Sequence, residues 1–217
     1  MRKNILRPQR EILSQEQQRL LNTFENHFKD YVLGGGTALS IQIRHRESFD
    51  LDFFSQKAIP KNLLFKIKEV IPIGRVARDT GDELTFYSNN LKITILHYPF
   101  AKVFADIAVD NNLKYFPLST IAAQKAYAVG RRGAYRDYYD LYIILSQEHL
   151  TLDEIIKTSE TIFGSVFNSK IFLEQLVYFD DLTDFEILPA RKEQKIVDKD
   201  EVKSFFEDIV LKYLERI

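Results

Sequence analysis

The sequence contains no cysteine, so disulfides and thiolate metal sites are excluded and any metal must sit on carboxylates, with only four histidines to help. It also lacks any run of about 18 apolar residues, which argues against a transmembrane helix. The N-terminus is basic, but the apolar core of a secretory signal does not follow it. We therefore expect a cytoplasmic protein without a membrane partner.

A strong charge imbalance is missing as well. The 217 residues include 30 basic and 31 acidic side chains, which gives a net charge of −1. This excludes the globally basic profile of a protein that coats nucleic acid, so a polynucleotide would need a local cluster of cations. The candidates for such a cluster are Lys125, Arg131, Arg132 and Arg136, with Arg44 and Arg46 nearer the N-terminus.

The residue pattern predicts an α+β protein: a small mixed sheet with helices over residues 1–115, followed by a helical domain over residues 116–217. Strands are predicted at 31–33, 49–54, 75–78, 83–87, 91–96 and 102–109. Helices are predicted at 14–29, 37–45, 60–70, 120–129, 135–146, 152–163, 169–179 and 199–216, with a linker at 180–199.

Three consecutive glycines, Gly34, Gly35 and Gly36, precede Thr37 at a predicted strand-to-helix junction. Glycine lets a phosphate approach the backbone, and the free N–H groups at the start of a helix bind anions. Thr37 adds a hydroxyl donor and can cap the helix. The pattern is typical of a phosphate-binding loop, although it has neither P-loop nor dinucleotide-binding spacing.

Asp50 and Asp52 flank Leu51 on the next predicted strand, so alternation places both carboxylates on one face and Leu51 on the other. Neighbouring carboxylates repel each other, and magnesium relieves that repulsion. With magnesium they can align a triphosphate for in-line displacement by a hydroxyl. Either motif alone favours a simple turn or a solvated strand, whereas the two in this order favour a nucleotide site.

Residues 33–39 and 45–54, which contain these two motifs, resemble the abortive-infection AbiEii toxin family. Residues 121–125 and 131–142 add to the likeness, which covers roughly residues 31–145 and does not extend into the last third. Members of that family have a nucleotidyltransferase fold and form the toxin half of bacterial type IV toxin–antitoxin pairs. The resemblance therefore implies a nucleotidyltransferase-like core in the first domain and a helical domain that completes the cleft.

The resemblance also implies roles for individual residues in the first domain. Asp50 and Asp52 would be catalytic and would bind Mg²⁺, in a two-metal site. Gly35, Gly36 and Thr37 would hold the phosphates of a nucleoside triphosphate.

In the second domain, the resemblance implies that Lys125 neutralises charge on the triphosphate. Asp140, with Arg136 and Asp137, would complete the catalytic and nucleotide-binding site from a helix. Arg136 and Asp140 are four residues apart and share a helix face, so they either reach one cleft or pair with each other. Lys125 alone is also consistent with an ordinary exposed lysine.

One departure from the pattern concerns the third carboxylate that nucleotidyltransferases usually place on a later strand. The expected strand, residues 91–96, offers Thr94 instead, and Glu83 and Asp106 are the alternative carboxylates. The departure implies that Asp140 supplies the base, that the enzyme is slow, or that the chain binds nucleotide without transferring it.

Three hypotheses follow. The first is a magnesium-dependent nucleotidyltransferase toxin of a type IV toxin–antitoxin (abortive infection) system, for which the resemblance allows tRNA as the acceptor and an antitoxin encoded nearby. The second keeps the fold but transfers to a protein or a small molecule, which the near-neutral charge favours over RNA. The third is a non-catalytic nucleotide-binding module, motivated by Thr94.

Overall fold

The computed structural model describes residues 6–216 and divides the chain into two compact units. The first unit ends at Leu118 and the second begins at Ser119. The first contains all the strands of the sheet, and the second is built from helices. The α+β class and the helical second half are therefore as the sequence predicted. Within residues 6–216, no helix combines the length and apolar character needed to cross a bilayer.

The first unit is built on one mixed sheet. Its strands are β1 (Val32–Gly34), β2 (Leu51–Ser55), β3 (Arg75–Asp79), β4 (Glu83–Ser88), β5 (Leu91–His97), β6 (Ala108–Asp110) and β7 (Leu113–Tyr115). Their order across the sheet is β3-β4-β5-β2-β1-β7-β6. β1 runs antiparallel to β2 and parallel to β7, and β2 runs parallel to β5. The two predicted motifs therefore lie on neighbouring strands near the middle of the sheet.

Three helices accompany the sheet: α1 (Gln15–His27), α2 (Gly35–Ile43) and α3 (Leu63–Lys68). α1 begins with a capping box, in which Ser14 and Gln17 each accept a backbone N–H from the other, as the sequence indicated. The Phe24 ring of α1 stacks on Phe53 of β2, with 4.1 Å between ring centroids. α1 thus covers the apolar face of the sheet, because Phe53 and Leu51 are buried on the same side of β2.

The second unit contains α4 (Leu118–Ala128), α5 (Tyr135–Ser146), α6 (Leu152–Phe163), α7 (Ser169–Leu176) and α8 (Lys199–Leu214). The predicted bounds of α5 and α6 are confirmed. Residues 177–198 connect α7 to α8, and the Phe206 ring of α8 packs against Tyr138 of α5. The predicted linker is not free chain, since Thr183 and Ala134 form an isolated parallel β-bridge.

The predicted strand at residues 102–109 is wrong over residues 102–107, and only its last two residues belong to a strand, β6. Ala101–Ala105 form a 3₁₀ helix, and the chain then makes the short hairpin β6–β7. Pro99 has no N–H to continue the ladder after β5, and only Val103 of the 3₁₀ turn is buried.

Candidate active site

The glycine loop contacts the second aspartate directly. β1 ends at Gly34, which pairs with Asp52 of β2, and α2 begins at Gly35. Gly35 has φ of 65°, a conformation that disfavours side chains, and a Cβ there would lie 2.5 Å from Asp52 Oδ2. Only glycine fits at this position, so the phosphate-loop backbone and the carboxylate meet at one point.

A buried arginine lies beside the next glycine. A Cβ at Gly36 would lie 2.6 Å from Arg46 Nη2 and 2.9 Å from Ser48 Oγ. Arg46 is buried, and its Nη1 donates to the Glu47 carbonyl at 2.8 Å. The sequence indicated Arg46 only as a candidate cation for a polynucleotide, because spacing along the chain does not reveal that Arg46 folds back onto the loop. Its guanidinium adds positive charge where the loop would bind phosphate.

Thr37 is not the helix cap that the sequence predicted. α2 begins two residues earlier, with Gly34 at the N-cap, because the glycines themselves can adopt the required turn. The Thr37 side chain is buried, and its Oγ1 donates to the Asp50 carbonyl and lies 2.9 Å from Ser48 Oγ. The hydroxyl therefore joins the start of α2 to the segment that carries Asp50.

Asp50 immediately precedes β2, and Asp52 lies within it. Leu51 between them has no exposed surface, so the two aspartates lie on the face opposite the apolar core, as alternation predicted. The Asp50 side chain is 44% exposed, and its Oδ2 lies 3.8 Å from Lys92 Nζ of β5. Asp50 is therefore accessible, and Lys92 is a cation beside it.

Thr94 occupies the position opposite Asp52 on β5 and opposite Thr85 on β4. It is buried, with 3.5 Å between the two threonine hydroxyls. Glu83 accepts from Thr85 Oγ1 at 2.7 Å and pairs with Arg78 at 3.1 Å, while Asp106 follows the 3₁₀ helix. Across residues 6–216, no cluster of three or more His, Asp or Glu is arranged to hold a metal.

Three of the predicted residues of the second unit, Lys125, Asp137 and Asp140, form a buried charged cluster. Lys125 Nζ of α4 lies 2.7 Å from Asp137 Oδ1 and 2.6 Å from Asp140 Oδ2, both on α5. Arg132 makes a bidentate contact with Asp137, at 2.7 and 2.9 Å. Burial by itself would raise the pKa of Asp137, but the attraction of Lys125 and Arg132 outweighs it and holds the pKa below its ordinary value of 3.8.

Arg136 does not belong to this buried cluster. It lies exposed in the first turn of α5, whereas Asp140 has no exposed surface. Asp137 is instead held by Arg132, from the loop before the helix. Spacing of four residues correctly predicts that two side chains share a helix face, but it does not show how deeply each is buried. Arg136 is exposed although Tyr135 and Asp137 in the same turn are buried.

The arrangement of sheet and helices defines a nucleotidyltransferase fold. A Helicobacter pylori protein described provisionally as a nucleotidyltransferase has a similar structure, with a TM-score of 0.59 and 22% identity over 94% of this chain and 98% of that one. JHP933 from Helicobacter pylori aligns over 94% of this chain and 99% of its own, with a TM-score of 0.49 and 18% identity.

The chain belongs to the nucleotidyl transferase AbiEii toxin family of type IV toxin–antitoxin systems, whose sequence model matches residues 19–106 and 94–211. The resemblance seen in the sequence is thereby confirmed, and it extends into the last third of the chain. An uncharacterized protein from Aquifex aeolicus, aq_aa25, is 29% identical over 192 residues, which cover 86% of this chain and 89% of that protein.

Proposed function

We propose that this nucleotidyltransferase uses Mg²⁺, held by Asp50 and Asp52, to transfer a nucleotide from a nucleoside triphosphate to an acceptor hydroxyl. The contact between the Gly35 backbone and Asp52 Oδ2 carries the proposal. It brings a loop suited to phosphate within reach of a carboxylate suited to magnesium. Two solvated aspartates beside an unrelated turn would not need glycine at this point.

The donor set fits Mg²⁺. Asp50 and Asp52 offer hard oxygen ligands on an accessible face of the sheet, and Mg²⁺ in phosphoryl-transfer sites is commonly held by one or two carboxylates, with substrate phosphates and water completing its shell. When bound, the ion supplies positive charge that stabilises the triphosphate and its leaving pyrophosphate.

The loop residues have separate tasks in this proposal. The backbone N–H groups of Gly35 and Gly36, at the start of α2, bind phosphate oxygens, and Arg46 beside Gly36 adds charge. Thr37 holds the Asp50 segment in place through its hydroxyl. The acceptor oxygen then bonds to the α-phosphorus, the bond from that phosphorus to pyrophosphate breaks, and the hydroxyl proton passes to a base.

The roles of Lys125, Arg136, Asp137 and Asp140 toward a nucleotide stay predictions from the family resemblance. Both carboxylates of the cluster bind the Lys125 amine, which favours a positioning role for Asp137 and Asp140. Asp140 has no exposed surface, so its burial does not favour it as the base for the acceptor proton. Arg136 is accessible to a ligand.

We further propose that tRNA is the acceptor and that an antitoxin restrains the activity. Membership in a toxin family of type IV toxin–antitoxin systems supports an inhibitory activity and a cognate antitoxin. If the acceptor is RNA, its binding must weaken steeply with salt, because phosphate contacts release counterions. A protein or small-molecule acceptor predicts a much weaker salt dependence.

The test is a transfer assay with each nucleoside triphosphate labelled at the α-phosphate, with Mg²⁺, total tRNA and cell protein. We expect label in RNA with the wild-type chain and none with Asp50→Ala/Asp52→Ala. Asp208→Ala on the exposed surface of α8 is the matched control and should retain full transfer. Full transfer by a folded Asp50→Ala/Asp52→Ala variant would overturn the proposal.

A non-catalytic nucleotide-binding module is the second candidate, and Thr94 is the observation that favours it. Thr94 lies opposite Asp52 on β5 and is buried. Its hydroxyl occupies the position where nucleotidyltransferases usually have a third carboxylate. The same assay separates the two candidates through pyrophosphate. Nucleotide binding that depends on Asp50 and Asp52, without pyrophosphate release in any acceptor fraction, would establish the binding module and exclude the transferase.

A further inference from the structure

A row of adjacent side chains crosses the sheet from its edge strand to the acid pair. Arg75 of β3 pairs with Tyr87 of β4, and its guanidinium carbon lies 4.3 Å from the centroid of the Tyr87 ring. Tyr87 pairs with Lys92 of β5, and Lys92 Nζ lies 3.8 Å from Asp50 Oδ2. We call Arg75, Tyr87 and Lys92 the cationic row.

The cationic row is accessible. Every residue of β3 is exposed, and the Lys92 side chain is 39% exposed. Arg75, Tyr87 and Lys92 share the face of the sheet that carries Asp50, because paired residues of neighbouring strands point to the same side. A ligand lying along this face would meet two positive charges before it reached the acid pair.

Most of the cations that the sequence offered for a polynucleotide are engaged elsewhere. Lys125 and Arg132 are paired with buried aspartate, and Arg44 pairs with Glu11. Arg131 lies over the Tyr127 ring and donates to backbone carbonyls. The cationic row was not predicted from the sequence, because its members are separated along the chain and become neighbours only through strand pairing.

We propose that the cationic row binds the acceptor as single-stranded RNA and leads its end to Asp50. This inference rests on the proposed nucleotidyltransferase function. Lys92 would contact a backbone phosphate close to the acid pair. Arg75 would offer a planar surface to a base, since Tyr87 holds one face of its guanidinium and bases stack on arginine planes as well as on aromatic rings.

The dimensions and charges suit this occupant. Three strand spacings of about 4.8 Å separate β3 from β2, so about 14 Å of sheet lies between Arg75 and the acid pair, enough for the last few nucleotides of an extended strand. The overall charge of −1 means that binding must depend on such a local cluster. An uncharged small acceptor would gain little from two cations placed at this distance from the acid pair.

The test measures fluorescence anisotropy of a labelled single-stranded oligoribonucleotide of about 12 nucleotides, over a range of salt concentrations. We expect Arg75→Ala to weaken binding about 2- to 5-fold, as loss of an exposed contact between a cation and a π-face does. Lys92→Ala should reduce the salt slope by about 0.7, the value of one phosphate contact on a single strand. Arg19→Ala, an exposed cation on α1, is the matched control and should leave both quantities unchanged.

Titration of the same proteins with nucleoside triphosphate and Mg²⁺ separates the two proposals. Arg75→Ala should bind nucleotide like the wild type, while Asp50→Ala/Asp52→Ala should not bind it. The proposed role of the cationic row would be overturned if the wild type bound no RNA, or if folded Arg75→Ala and Lys92→Ala bound it as the wild type does. Nucleotide binding would remain intact in either case. A wild-type chain that binds no nucleotide would overturn the proposed function itself. Transfer to cell protein that depends on Arg75 would replace RNA by a protein as the occupant.

Discussion

The Gly35 backbone and the Asp52 carboxylate are in such close contact that a single methyl group at Gly35 would lie 2.5 Å from Asp52 Oδ2. The contact arises because β1 and β2 pair Gly34 with Asp52, so the first residue of α2 emerges directly over the carboxylate. The position of the proposed metal ligand therefore depends on the absence of a side chain one strand away.

Gly35→Ala should abolish nucleotide transfer. The added Cβ displaces Asp52. The alanine must also adopt φ of 65°, a strained backbone conformation that costs about 1–3 kcal/mol. Transfer assays and thermal unfolding measure the two effects. Gly81→Ala is the control, because a Cβ there meets no atom within 4 Å. Equal activity in the two variants would show that the loop does not position Asp52.

Lys125→Met should destabilise the fold by about 3–5 kcal/mol, because it leaves Asp137 and Asp140 buried beside each other without the shared cation. Urea unfolding measures the loss. Lys212→Met, on the exposed surface of α8, should cost little. Adding Asp140→Asn to Lys125→Met should recover part of the stability, and no recovery would contradict the pairing.

Asp137 should contribute to acid unfolding. The pKa of Asp137 in the folded state lies below the ordinary 3.8. The ionised carboxylate therefore stabilises the fold fully above pH 3.8, and this contribution is lost as the pH falls from 3.8 to the lower folded-state pKa. The difference in unfolding free energy between the wild type and Asp137→Asn should therefore be constant near about pH 6 and shrink below about pH 4. A difference that grows on acidification would show the opposite sign of shift.

Thr94→Asp should make stability depend on magnesium. The new carboxylate would be buried opposite Asp52, where repulsion and desolvation cost about 1–3 kcal/mol or more without a cation. Addition of Mg²⁺ should raise the unfolding temperature of Thr94→Asp more than that of the wild type. Thr94→Asn matches the shape without the charge, and an equal magnesium response in Thr94→Asn and Thr94→Asp would refute the prediction.

Structural features that depend on residues close together along the chain were predicted most accurately from the sequence. Ser14 and Gln17 mark the start of α1 because a capping box involves only four residues. Alternation correctly placed Leu51 in the core. Apolar periodicity also predicted the bounds of α5 and α6 correctly.

Contacts between distant segments were harder to predict. Three features depend on tertiary packing: the contact of Arg132 with Asp137, the position of Arg46 beside Gly36, and the pairing of β7 with β1. A three-residue strand such as β7 has too few residues for its alternation to be recognised. The glycine and aspartate motifs could be identified by residue type, but their contact requires the register of β1 against β2.

The position of β1 between β2 and β7 also determines when the site can form during folding. The β4–β5 hairpin joins neighbouring segments and can form early. In contrast, Leu33 of β1 pairs with Phe53 of β2 and with Tyr115 of β7, which are distant along the chain. Contacts between distant segments form slowly, because the intervening chain loses entropy before they stabilise it. A growing chain that has not yet reached Tyr115 thus contains both motifs without the completed sheet on which they meet.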